Sequence, residues 1–128
     1  MPAGYVNQLT NAKQPIPTVT RADVERIVRR DFADREVDRA LGILDECGKE
    51  TSRQNATRVR LAALKLAAGN LEGLQRTVKE AAHDWRDVIA SAEYPAYMKL
   101  RSTTASLPEE KRAAIDADWA QYQDWLRR

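Results

Sequence analysis

The sequence is poor in the residues most often used for chemistry. It holds one cysteine and one histidine in 128 residues. A lone Cys47 cannot close an internal disulfide, so a reducing, cytoplasmic setting is expected. One histidine and one cysteine cannot fill a closed four-ligand zinc site without carboxylates. The five glycines are scattered. None forms a phosphate-cradling loop, and no serine sits in a Gly-x-Ser-x-Gly elbow. No apolar run approaches the ~20 residues of a membrane span, so no membrane partner is expected. The first twenty residues lack the cationic start and apolar core of a signal peptide. A net charge of +2 is too small to argue for a nucleic-acid or membrane surface. Internal repeats and the alternating pattern of strands are also missing.

What is present is helical period. Alanine is frequent, arginine outnumbers lysine, and 31% of residues are charged. This is the usage of a helical protein from a GC-rich bacterial genome. Residues 1–18 carry Pro2, Pro15 and Pro17 and no period, and read as a flexible tail. The rest, residues 19–128, reads as a single helical domain. Thr20 caps a first helix, with Asp23 in its first turn and Val24, Ile27, Val28 and Phe32 along one face. Asp34 caps a second, striped by Val37, Ala40, Leu41 and Leu44 and stopped near Gly48. The third, from about Asn55 to Ala68, carries Val59, Leu61, Leu64 and Leu66 filled in by alanines. A helix apolar most of the way round is buried on several sides, so this one is the expected centre. Gly69 ends it and Asn70 caps a fourth, running to about Glu93, where Pro95 stops it. Residues 101–106 read as loop. Ser106 and Glu109 form a capping box, Pro108 stands in the first turn, and a last helix follows on Ile115, Trp119, Tyr122 and Leu126. The expected fold is all-α: a single compact bundle of four to five helices with a largely buried central helix at about 55–68.

The stretch Glu80–Pro95 holds the histidine, a tryptophan, a tyrosine and four carboxylates. On a continuous helix, Leu71, Leu74, Val78, Ala81, Ala82, Trp85, Val88, Ile89 and Ala92 share one face, with Trp85 at its middle. His83 falls on the opposite, wet side beside Lys79 and Arg86. Glu80 and His83 have the Glu-x-x-His spacing of di-metal bundles, but that site needs a second such motif, which one histidine cannot supply. Pairing of His83 with Asp84 or Asp87 for acid–base work would need a cleft. The preferred reading is a solvated face of charge pairs, with no catalytic residue, no metal and no cofactor.

Cys47 lies on the face of Ala40 and Leu44 and reads as a buried thiol. The stretch from Arg21 to Arg39 holds six arginines and six acids and is neutral. Arg53, Arg58, Arg60 and Lys65 form the one basic run without an intervening acid. Were they on one exposed face, a nucleic-acid-binding helical module would follow; this is the alternative function. The aromatic residues suggest a different surface. Trp119 and Trp125 are about 120° apart at 100° per residue, so one face cannot hold both with Tyr122 between. With Trp119 and Tyr122 inward, Trp125 stands at the edge and partly exposed. Tyr94 and Tyr97, turned outward by Pro95, would join it. Tyr94, Tyr97 and Trp125 are therefore the expected protein-contact patch.

The segments RVRLAALKLAAG at 58–69, DWRDVIASAEYPAYM at 84–98 and DADWAQYQDWL at 116–126 together resemble small bacterial proteins of uncharacterised function. The resemblance spans roughly residues 20 to 126. It implies a stand-alone bacterial domain and no particular site residue. The expected function is that of a non-enzymatic helical protein working through contacts with an unidentified protein partner, in an accessory, regulatory or immunity-type role.

Overall fold

The computed structural model describes residues 14–101 and 107–128. Most of the expected tail, residues 1–13, and residues 102–106 of the expected loop at 101–106, with its capping residue Ser106, lie outside them; Arg101 ends a helix instead. The described residues form six α-helices and one 3-10 turn, with no strand. They are α1 (Arg21–Asp31), the turn Asp34–Glu36, α2 (Val37–Asp45), α3 (Arg53–Ala67), α4 (Leu71–Glu93), α5 (Pro95–Arg101) and α6 (Pro108–Arg127). They fall into two compact units, where the helical pattern alone suggests one domain from residue 19 onward. One unit comprises residues 17–92, the other residues 93–128 with the segment up to Ile16.

In the first unit the start signals act as physical caps. The Asp23 carboxylate accepts from the Thr20 backbone N–H at 2.9 Å. It thereby satisfies one of the donors that a helix start leaves open. Asp34 does not cap α2 directly; it opens the tight turn Asp34–Glu36 that feeds into α2. Ser52, a polar residue just before Asn55, caps α3, its hydroxyl accepting from Asn55 N–H at 3.3 Å. Asn70 caps α4 through Gly73 N–H at 2.7 Å.

α1 packs on α2 and α3. It contributes Val24, Ile27 and Val28, all fully buried. α3 is the best-covered helix of the unit, burying Ala56, Val59, Leu61, Ala62, Ala63, Leu64 and Ala67. One expected core residue, Leu66, is instead 41% exposed. A second cluster joins Val59 and Ala62 of α3 to Ala81, Val88, Ile89 and Ala92 of α4 and to Cys47, with Val78 and Trp85 partly buried against it. Order begins before residue 19, because Pro17 is fully buried.

α4 departs from the continuous helix expected. Asp84 has φ −152° and ψ 86°, an extended residue inside a helical run. Its side chain then caps the helical turns that follow, accepting from Asp87 N–H at 3.2 Å. Across the interruption Ala81 before it and Val88, Ile89 and Ala92 after it still join one buried cluster. Ala82 becomes exposed, and Trp85 is half-buried, not central. The Arg86 guanidinium stands over the Trp85 ring, 4.9 Å from its centroid, a cation–π contact. His83 is exposed. Trp85→Ala is therefore expected to cost about 2 kcal/mol and His83→Ala under about 0.5 kcal/mol. Urea melts of the two variants check this, and equal losses would refute the placement.

In the second unit α5 and α6 pack together. Pro95 is the first residue of α5, where its missing N–H costs nothing. Leu107 stands at the N-cap of α6 with Pro108 next.

Candidate functional site

The aromatic region of the second unit is arranged around a carboxylate. Asp118 on α6 is 2% exposed. Its two oxygens accept from Ala96 N–H at 3.1 Å and Tyr97 N–H at 2.9 Å. Both donors belong to the first turn of α5, whose backbone amides have no partner within their own helix. Two charge-assisted bonds from one carboxylate hold α5 in a fixed place on α6. Nearby, the Gln121 amide donates to the Glu93 carbonyl at 3.5 Å.

This cap changes which aromatic residues are free to meet a partner. The buried face of α6 carries Ile115, Asp118, Tyr122, Trp125 and Leu126. Its middle is Tyr122, and Trp119 lies about 60° to one side, half-buried. Trp125 lies about 60° to the other side, inside the face, only 6% exposed. Its ring meets that of Tyr122 at 5.5 Å between centroids, tilted 42°. The expected exposure of Trp125 is thus corrected. An aspartate is polar on any local scale, so periodicity alone runs the face through Trp119 and away from Asp118; the buried Asp118 rotates it toward Trp125. Tyr94 is corrected too, at 3% exposed. Its hydroxyl donates to the Pro15 carbonyl, which turns it inward. Of the three expected contact residues only Tyr97 is not fully buried; it is half-buried.

The basic run does not form one exposed face. Arg53 is exposed, while Arg58, Arg60 and Lys65 are half-buried. Arg60 is turned to the end of α2, donating through Nε to the carbonyls of Leu44 at 2.9 Å and Cys47 at 3.1 Å. The Leu44 carbonyl also accepts from Cys47 N–H at 2.9 Å, and a cation there meets the negative end of the helix dipole. Arg58 donates to Asn55 Oδ1 at 3.4 Å. The geometry assigns Arg60 to holding α2 on α3.

Cys47 is 2% exposed. Burial pushes its thiol from 9.0 up to about 11, with Glu50 adding to the rise and Arg60 opposing it. At neutral pH it is a protonated thiol, and the thiolate that would attack or bind metal is scarce. The folded value exceeds the unfolded one, so its stabilising effect is complete below pH 9 and declines as pH rises toward 11. The expected loss approaches about 2–3 kcal/mol at the upper end. Alkaline melts of wild type and Cys47→Ala check this: wild type should lose stability faster, and parallel curves would contradict it.

Among the described residues no group of three or more His, Cys, Asp and Glu side chains could hold a metal ion. No described helix is long and apolar enough to cross a membrane. A shallow groove of about 350 Å³ runs along the start of α6, lined by Pro108, Glu109, Arg112, Ala113 and Asp116. No protein-family model matches the chain, and no curated protein and no solved structure is significantly similar to it.

Proposed function

We propose that this chain is a non-enzymatic helical protein of the bacterial cytoplasm that acts by binding another protein, through the α5–α6 face around Tyr97. The observation that carries the reading is the Asp118 cap. It fixes the Tyr97 backbone at 2.9 Å, and half-buried Trp119 is the next residue along α6. Tyrosine and tryptophan held rigidly at a partly wet surface lose little entropy on binding and are the commonest anchors of protein interfaces. Four of the polar groups that could serve chemistry have structural duties. Asp84 caps half of α4, Arg60 caps α2, Asp118 caps α5 and Cys47 is a buried thiol.

The test is affinity capture with the full chain from its own cell, comparing wild type with Tyr97→Arg after both show the same far-UV circular dichroism. A partner retained by wild type and lost at least tenfold by the variant is expected. Equal retention by both would place the contact elsewhere, and no retained protein would remove the reading.

A further inference from the structure

Helices that bend sharply do so almost always at proline, glycine, a bulge or an inserted group. Between Gly73 and Pro95 the chain contains neither proline nor glycine. Local propensity there is ordinary for helix, and the apolar positions from Leu74 to Ala92 keep one helical period through residue 84. Yet Asp84 is extended, at φ −152° and ψ 86°. The side-chain feature at the break is the Asp84 carboxylate on Asp87 N–H at 3.2 Å. An aspartate at a helix start is among the best caps, whereas in a helix interior it is a poor former.

We propose that α4 is a two-state joint, latched in its bent form by the Asp84 cap. This inference is independent of the protein-contact reading. The bent state loses part of the backbone ladder near residue 84 and gains the cap; the straight state restores the ladder and gives up the cap. The two costs are of the same size, which is the condition for a bistable element. In the bent form Ala82 is exposed and Trp85 half-buried. Trp85 in that form already packs against the cluster of Ala81, Val88, Ile89 and Ala92. Asp84 is itself exposed, so the latch is open to any cation that competes for its carboxylate.

The experiment is backbone NMR on the isotope-labelled full chain, reading Cα and Cβ shifts and amide exchange across residues 80–90. Wild type is expected to break its helical shifts at residue 84. Asp84→Ala should give continuous helical shifts through 84, with amide exchange at 84–88 slowed roughly tenfold. Asp84→Asn, which keeps an acceptor, should retain the break. A break that persists in Asp84→Ala would assign the bend to packing and overturn the latch. Continuous helical shifts in wild type, or unfolding of Asp84→Ala, would overturn it equally.

Discussion

Asp118→Ala is expected to destabilise the chain by about 2–4 kcal/mol, one of the two largest losses for a single side chain outside the apolar core. The reason lies in what remains after truncation. Asp118 is 2% exposed and accepts from two backbone amides, of Ala96 and Tyr97. Alanine removes both acceptors and leaves a small void, so two donors lose their partners where water reaches poorly. Asp118→Asn separates charge from shape. Its side chain has nearly the same volume but offers one oxygen and one NH₂ group, so one of the two amides faces a donor. It should lose most of what alanine loses, whereas a carboxylate acting only through volume would be replaced without cost. Urea melts measure the difference, and hydrogen exchange at Ala96 and Tyr97 locates it. A loss below about 0.5 kcal/mol for Asp118→Ala would show that α5 is held on α6 by other contacts.

That carboxylate also marks where the sequence stops being readable. The helical class, the cap at Thr20, the cap at Asn70, the stop at Gly69 and the burial of α3 follow from periodicity and local chemistry. Each depends on residues within a turn of one another, and each is present in the structure. The errors occur where a distant backbone decides. Asp118 is polar in any local scale, but the amides it satisfies are more than twenty residues away. With that pairing unseen, the buried face of α6 falls about 40° off and Trp125 lands outside; Tyr94 lands outside because the Pro15 carbonyl that holds its hydroxyl is also distant in sequence. Arg60 is similar: within its own helix it belongs to a basic run, and only the end of α2 explains its direction. The break at Asp84 is different again. Both a capped bend and a continuous helix satisfy the local pattern there, so composition cannot choose between them. The sequence does hold two clues. An aspartate within an otherwise apolar C-terminal face and an aspartate at mid-helix with a free amide three residues on are both potential caps.

Gly69→Ala is expected to be at least as damaging, costing about 2–5 kcal/mol, through two separable causes. Gly69 has φ +80° directly after Ala68 at φ 51°, a left-handed pair that ends α3 and turns the chain toward α4. A side chain in that region costs about 1–2 kcal/mol. A Cβ built on Gly69 would also stand 2.7 Å from the Asp31 carbonyl oxygen at the end of α1. That neighbour is backbone and cannot rotate aside, so α1 must shift or the turn must open, at about 1–3 kcal/mol. Asparagine tolerates the left-handed region better than alanine but carries the same Cβ. Gly69→Asn should therefore recover the conformational part and keep the steric part. Gly42 supplies the control. It lies inside α2, and a methyl group added there would meet nothing within 4 Å. There Gly42→Ala should stabilise by about 0.5–1 kcal/mol, since alanine loses less entropy in a helix. Thermal and urea melts of the three variants decide the matter. If Gly69→Asn matches wild type, the close approach of Asp31 is yielding; if it matches Gly69→Ala, the packing of α1 against the α3–α4 turn dominates. A neutral Gly69→Ala would contradict both the left-handed turn and the contact.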